Sequence, residues 1–383
     1  MPRVRPLASV LAGLVALGGC IRDNELYDGA VVSGSASSSS FTSSDSDVDP
    51  SSAPSDGSSP TSTASSSSGT GTDATDTTID PVTTTLETTE GDTDTDTDTD
   101  ATVAPATLCD LPMGAWTLAA PTALTPINSS DLDAEPHLRD GGLTLFFASN
   151  RPGGLGEADS YRATRADLNV PFTAAVNNDD LGLNSSASDT KVVFAEDGLE
   201  AFLASGRAPS VGGSDLWRAT RTDLSAPFTN FENTALSTAS DEYDPFLSPD
   251  GLRLYYASSI DGDLDLFVAA RPTLADPFTA GTLIVELATD GTDSHPALSD
   301  DERVILFESN RPGGAGDSDI WIATRPSIDA PFVDPTPLPV INTDAFEGEP
   351  LLSADGCELL FASSRAEGLG SWDLWRADVI PAP

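Results

Sequence analysis

The sequence predicts an all-β chain: a five-bladed β-propeller, closed by an N-terminal strand that completes the last blade and preceded by a disordered acidic spacer rich in Ser, Thr and Asp. Three observations predict it. An Asp two residues before an aromatic recurs as Asp159/Tyr161, Asp215/Trp217, Asp265/Phe267, Asp319/Trp321 and Asp373/Trp375, with aromatic-to-aromatic spacings of 56, 50, 54 and 54. A short acidic turn recurs in phase upstream, at Asp140-Gly141, Asp197-Gly198, Asp250-Gly251, Asp300-Asp301 and Asp355-Gly356. Each period holds four short runs of strand-forming residues between Gly, Pro and Asp, which describes a propeller blade.

The elements of a period follow in a fixed order. A leading segment feeds the innermost strand: Asp133-Ala134-Glu135-Pro136, Ser188-Asp189-Thr190, Glu242-Tyr243-Asp244-Pro245, Asp293-Ser294-His295-Pro296 and Glu347-Gly348-Glu349-Pro350. The Asp-Gly turn ends that strand, because glycine takes the positive φ of a tight hairpin. The second strand follows, as at Leu143–Ala148 and Leu252–Ala257. A Ser-x-Arg loop comes next, at Ser149/Arg151, Ser205/Arg207, Ser309/Arg311 and Ser363/Arg365, each Arg eight residues before the repeat's Asp. Hairpin spacing predicts that Arg and Asp pair across this loop as scaffold, a ligand site being the alternative. The aromatic strand is third, its aromatic packing between adjacent blades. A Pro-Phe pair (Pro171-Phe172, Pro227-Phe228, Pro277-Phe278, Pro331-Phe332) announces the fourth strand.

The fifth repeat runs only to its third strand before Pro383, while Ala115–Pro121 (A-W-T-L-A-A-P) lies upstream of repeat one at the Pro-Phe phase. That segment is expected to complete blade five. The patterns S-P-D-G at 248–251, S-N-R-P-G-G at 149–154 and 309–314, and D-I-W at 319–321 resemble the WD-like propeller repeats of the TolB family. The resemblance covers 134–383. It implies a propeller fold; TolB is six-bladed with a further N-terminal domain, and this chain has five repeats, so a TolB role does not follow.

Residues 1–20 read as an export signal: Arg3 and Arg5, then an apolar run from Leu7 to Leu17, too short to span a bilayer. Leu17-Gly18-Gly19-Cys20 resembles the lipobox of bacterial lipoproteins, which implies lipidation of Cys20 and a membrane anchor. Position 21 is Ile, not the Asp of inner-membrane retention, which favours the outer membrane or cell surface. Residues 21–107 carry 17 acidic residues and one basic one, with Ser37–Ser40, Ser65–Ser68 and the Asp/Thr alternation of Asp92–Asp100. Such a segment cannot bury enough apolar surface to fold, and as a coil it spans about 50 Å. The propeller is expected over 108–383. With Cys20 lipidated, Cys109 and Cys357 are the remaining thiols, both at the edge of blade five, and export favours their disulfide.

The formal net charge of −43 opposes binding to a phosphate backbone, so nucleic acid is not an expected partner. Three Cys are too few for a Cys₄ zinc site. No G-x-S-x-G elbow, P-loop or dinucleotide fingerprint is present. The departures from the repeat and the leading segments supply the candidate residues. Asp133, Glu135, Glu242, Asp244, His295, Glu347 and Glu349 are expected to form one ring at the channel mouth, suited to a cation, a basic peptide or a polyol, with solvation of the rim as the alternative. Trp372 has no counterpart in other repeats and either stacks on a ligand or caps its blade. Blade three has Ile260 in place of Arg and a short Asp261-Gly262-Asp263-Leu264-Asp265 loop, a bare turn or a weak metal site; any metal is expected to be Ca²⁺. The resulting expectation is a lipid-anchored envelope module that binds a protein or glycan on the channel-mouth face. The alternatives are a five-bladed carbohydrate-active hydrolase, which needs two carboxylates about 5–9 Å apart in an axial pocket, and a purely structural envelope protein.

Overall fold

A computed structural model describes residues 106–383; the signal segment 1–20, Cys20 and the spacer up to 105 lie outside the described residues. Five antiparallel sheets form a ring, each running from an innermost to an outermost strand, which makes a five-bladed propeller. Blade one is Asp133–Arg139, Thr144–Ser149, Asp159–Thr164 and Val176–Asn177. Blade two is Asp189–Phe194, Glu200–Ser205, Asp215–Thr220 and Asn230–Asn233. Blade three is Glu242–Leu247, Arg253–Ser258, Asp265–Ala270 and Thr282–Leu283. Blade four is Asp293–Leu298, Val304–Ser309, Asp319–Thr324 and Val333–Pro337, and blade five opens with Glu347–Leu352, Glu358–Ser363 and Asp373–Pro381.

Blades are sandwiched on both faces, so their middle strands do not alternate. Glu200–Ser205, Val304–Ser309 and Glu358–Ser363 are buried at every position. Most of the core lies in five large clusters, each shared by two neighbouring blades. Phe146, Val192 and Trp217 join blades one and two; Phe202, Leu216 and Tyr256 join two and three; Tyr255, Ile305 and Trp321 join three and four. Ile320, Leu359 and Trp375 join four and five, and Leu145, Tyr161 and Leu360 join five back to one. The Pro-Phe pair has a visible purpose. The Arg that follows the third strand stacks on its ring: Arg165 on Phe172 at 4.4 Å, Arg221 on Phe228 at 4.6 Å, Arg271 on Phe278 at 4.7 Å and Arg325 on Phe332 at 4.4 Å.

The ring closes where the repeat phase places the closure. Trp116–Leu118 pairs with Val379–Pro381 in the long third strand of blade five, and Thr122–Ala123 pairs with Trp375 and Arg376. Among the described residues, strand pairing begins at Thr107, in a small hairpin with Pro112. Cys109 stands in the turn of that hairpin, at φ 47°, and is disulfide-bonded to Cys357 with a Cα–Cα distance of 4.5 Å.

The Ser-x-Arg loops differ from expectation. Arg does not pair with the Asp eight residues on. Arg207 donates instead to Asp189 at 2.6 Å, Arg311 to Asp293 at 2.6 Å and Arg365 to Glu347 at 3.2 Å, and Arg151 pairs with Asp133. Each acceptor is the first residue of its blade's innermost strand and has no solvent exposure, so it needs the counter-charge. The repeat's own Asp serves the loop backbone: Asp159 accepts from the N–H of Leu155 at 2.7 Å, and Asp215 from Val211 at 2.6 Å and Gly212 at 2.9 Å. Glycine is required beside it, since a Cβ on Gly154 would lie 1.5 Å from Asp159 Oδ2.

Blade three lacks this Arg. Burial pushes Glu242 above the usual carboxylate range, against hydrogen bonds from Thr238 and Ser258. Burial, then the charges of Asp293, Asp263 and Asp261, push Asp265 up to about 6 from 3.8. The folded chain therefore favours protonated Asp265. That contribution is complete below the ordinary Asp value and is lost as pH rises through about 6. Asp265→Asn is expected to melt with the wild type near pH ~4 and above it near pH ~7.5; equal melting temperatures at both values would contradict this.

Candidate functional site

The site arises from a bulge repeated around the ring. In four innermost strands the pairing skips two residues, between Ala134 and His137, Tyr243 and Phe246, Ser294 and Ala297, and Gly348 and Leu351. The skipped pairs are Glu135-Pro136, Asp244-Pro245, His295-Pro296 and Glu349-Pro350. Proline has no N–H to give the ladder, so the bulge falls there. The residue before each Pro is left-handed, with φ of 58° at Glu135, 58° at Asp244, 51° at His295 and 55° at Glu349. Four non-glycine residues held this way, each at a cost of roughly 1 kcal/mol or more, mark a shaped site. Blade two has no Pro, and only Lys191 is skipped, between Thr190 and Val192.

Three of these side chains meet around the imidazole of the fourth, His295. Its Nε2 stands 3.0 Å from Asp244 Oδ1, 3.3 Å from Glu135 Oε1 and 3.9 Å from Glu349 Oε1. Its Nδ1 stands 3.2 Å from Glu308 Oε2 and 3.1 Å from Ser294 Oγ. The carboxylates also link blades: the N–H of Glu135 donates to Glu349 Oε2 at 2.6 Å, and the N–H of His295 to Asp244 Oδ2 at 3.2 Å. Glu135 Oε2 is buried without a hydrogen-bond partner. All of this is withdrawn from water: Glu135 is 6% exposed, Asp244, His295 and Glu349 1% each, and Glu308 0%. Lys191, 2% exposed, donates to the carbonyl of Pro136 at 3.2 Å. Among the described residues, Glu135, Asp244 and His295 are the group whose ligand atoms gather within 4.8 Å, a spacing fit for a metal ion.

The expected single ring is thus two tiers. Glu135, Asp244, His295 and Glu349 reach the axis. Asp133, Glu242 and Glu347 do not: they stay in their own blades, Asp133 and Glu347 paired with Arg and Glu242 accepting from Thr238 and Ser258. The two tiers sit two residues apart on a strand that bulges between them, so they diverge. Trp372 does not present a ring to a ligand; it is 7% exposed and stacks on Phe346, 4.2 Å between centroids, in a cluster with Leu132 and Ala134. It fills the seam between blades five and one. Asp261, Asp263 and Asp265 are not brought into a metal-holding group, and Asp261 is exposed. The other histidine, His137, lies two residues past Glu135 against Phe194; burial, then the Lys191 and Arg139 charges, push its pKa down to about 3, so it is neutral.

Two members of the cluster went unread in the sequence. Lys191 was hidden by the missing Pro, which shifts the phase of blade two by one residue. Glu308 had a clear signal. The residue before the Ser of Ser-x-Arg is Ala148, Ala204, Ala257 and Ala362 in the other blades and Glu only in blade four. Its room comes from another departure: Gly348 replaces a residue with a side chain, and a Cβ there would lie 2.2 Å from Glu308 Oε2. Ser318 Oγ donates to Glu308 Oε1 at 2.9 Å and pins it.

No protein-family model and no curated protein sequence matches the chain. Solved structures similar to it include a thermostable family-43 glycoside hydrolase, at 13% identity over 68% of this chain and 92% of that one, TM-score 0.47. They include TolB from Acinetobacter baumannii, at 13% identity over 65% and 54%, TM-score 0.39. An endo-arabinase from Bacteroides thetaiotaomicron matches at 13% identity over 67% and 96%, TM-score 0.44. Likeness at this level carries no function to this chain.

Proposed function

We propose that the protein is a binding module, exported and lipid-anchored through Cys20, that engages an envelope protein on the face where the loops between second and third strands emerge. The observation that carries this reading is the apolar set on those loops. Leu155, Val211, Ile260 and Leu369, one per blade in four blades, are 58%, 60%, 50% and 63% exposed. The opposite face also exposes aliphatic residues, but there Leu168, Leu224 and Leu274 lie against the turn glycines Gly142, Gly198 and Gly251 of their own blades. The exposed set on the loops between second and third strands suits a protein surface, and with Trp372 buried the face lacks the aromatic that would stack on a sugar. The hydrolase alternative needs an open pair of carboxylates, whereas the axial carboxylates surround His295 and are buried.

Photo-crosslinking in intact cells tests it, with the crosslinker at Leu155, Val211 or Leu369 and, as controls, at Leu168, Leu224 or Leu274 on the opposite face. Discrete protein adducts are expected from the first set, and from the membrane fraction only while Cys20 is present. Adducts from neither set, or equally from both, would overturn the docking face. A Cys20→Ala variant retained in membranes would overturn the anchor.

A further inference from the structure

We propose that the axial cluster is a binding site for a divalent first-row transition metal of the zinc type, ligated by Glu135, Asp244 and His295 and oriented by Glu308. The site goes beyond the docking face and does not depend on it. Its first support is charge. Glu135, Asp244, Glu349 and Glu308 are buried together, and buried carboxylates demand positive charge or donors beside them. Lys191 gives its hydrogen bond to Pro136, and Glu135 Oε2 is left with no partner.

The second support is the orientation of His295. A metal-bound imidazole characteristically donates its other ring N–H to a carboxylate, which fixes tautomer and direction. Glu308 Oε2 stands 3.2 Å from Nδ1, beside Ser294 Oγ at 3.1 Å, and is itself buried without a hydrogen-bond partner, so a small turn of the ring would bring the Nδ1–H onto it. With Nδ1 protonated toward Glu308, the Nε2 lone pair faces Asp244 Oδ1 at 3.0 Å and Glu135 Oε1 at 3.3 Å. Lone pairs on all three atoms repel unless a cation lies among them. Ligands about 2.0–2.2 Å from a metal stand about 3.0–3.5 Å from one another; the two separations from Nε2 fall in that range, and all three ligand atoms lie within 4.8 Å of one another. The chain breaks its own repeat to build this: Glu308 stands where four blades have Ala, and Gly348 makes its room.

The nitrogen ligand also revises the expectation of calcium. Ca²⁺ takes oxygen ligands, whereas imidazole with carboxylates suits zinc and its neighbours. The competing state is an imidazolium held by the same carboxylates with no metal.

The full chain, expressed in zinc-supplemented and in chelated medium, separates the two. About one zinc per chain is expected from the first, by elemental analysis of the purified protein, with a higher melting temperature than the metal-free form. Glu308→Ala restores the residue of the other blades and is expected to fold, by circular dichroism, while binding Zn²⁺ 10–100-fold more weakly. His295→Gln is expected to lose the zinc. Asp261→Asn with Asp263→Asn is expected to change nothing. Zinc-free protein from supplemented medium would overturn the proposal and leave the imidazolium. So would zinc binding unchanged in Glu308→Ala and His295→Gln, zinc binding lost in the Asp261/Asp263 variant, or stabilisation by Ca²⁺ and not by Zn²⁺.

Discussion

Arg311→Leu is expected to lower the unfolding free energy by about 3–5 kcal/mol, because it strands a buried charge. Asp293 has no solvent exposure and Arg311 9%. The guanidinium donates to Asp293 Oδ1 at 2.6 Å, to the carbonyl of Leu287 at 2.5 Å and to Ser309 Oγ at 2.9 Å. It also lies over the rings of Phe307 and Trp321, at 4.7 and 5.3 Å. One side chain thus ties the first, second and third strands of blade four to the segment that enters it. Adding Asp293→Asn removes the stranded charge and is expected to recover part of the loss. Chemical unfolding of the wild type, the single and the double variant checks this; a loss under about 1 kcal/mol in the single variant would contradict the structural role given to the Ser-x-Arg loops.

Removing the disulfide with Cys109→Ser and Cys357→Ser is expected to cost about 2–5 kcal/mol. The bond spans 248 residues, and chain entropy for so long a loop gives about 5 kcal/mol as an upper figure. It ties the N-terminal hairpin to the blade that Trp116–Leu118 completes, so it acts at the closure of the ring. The unfolding midpoint of the oxidised chain should exceed that of the double variant, and reduction of the wild type should reproduce the variant. Equal midpoints would mean that the closing strand holds blade five without help.

The fold was legible because a propeller repeats its local rules. Asp-Gly turns and the Asp-x-aromatic pair fixed the phase, and Trp116 at the Pro-Phe phase identified the closing strand. The site was half legible, for a physical reason. Spacing locates Glu135 and Asp133 on the same strand, but only the bulge decides that one faces the axis and the other its own blade. The Pro after Glu135, Asp244, His295 and Glu349 was the signal for that bulge. Arg151 and its equivalents were misassigned because sequence distance favours the hairpin partner, whereas the uncompensated carboxylate buried 18 residues upstream takes the charge. Trp372 was singled out as an exception to the repeat, yet exceptions also fill seams, and the seam beside Phe346 is where it lies. Glu308 needed the same comparison applied to a strand interior.

X-ray absorption at the zinc edge, on the full chain loaded with zinc, tests the axial cluster most directly. The account predicts a first shell of nitrogen and oxygen at about 2.0–2.2 Å, with the outer-shell scattering of one imidazole that disappears in His295→Gln. A shell of oxygen alone, unchanged by that substitution, would contradict it.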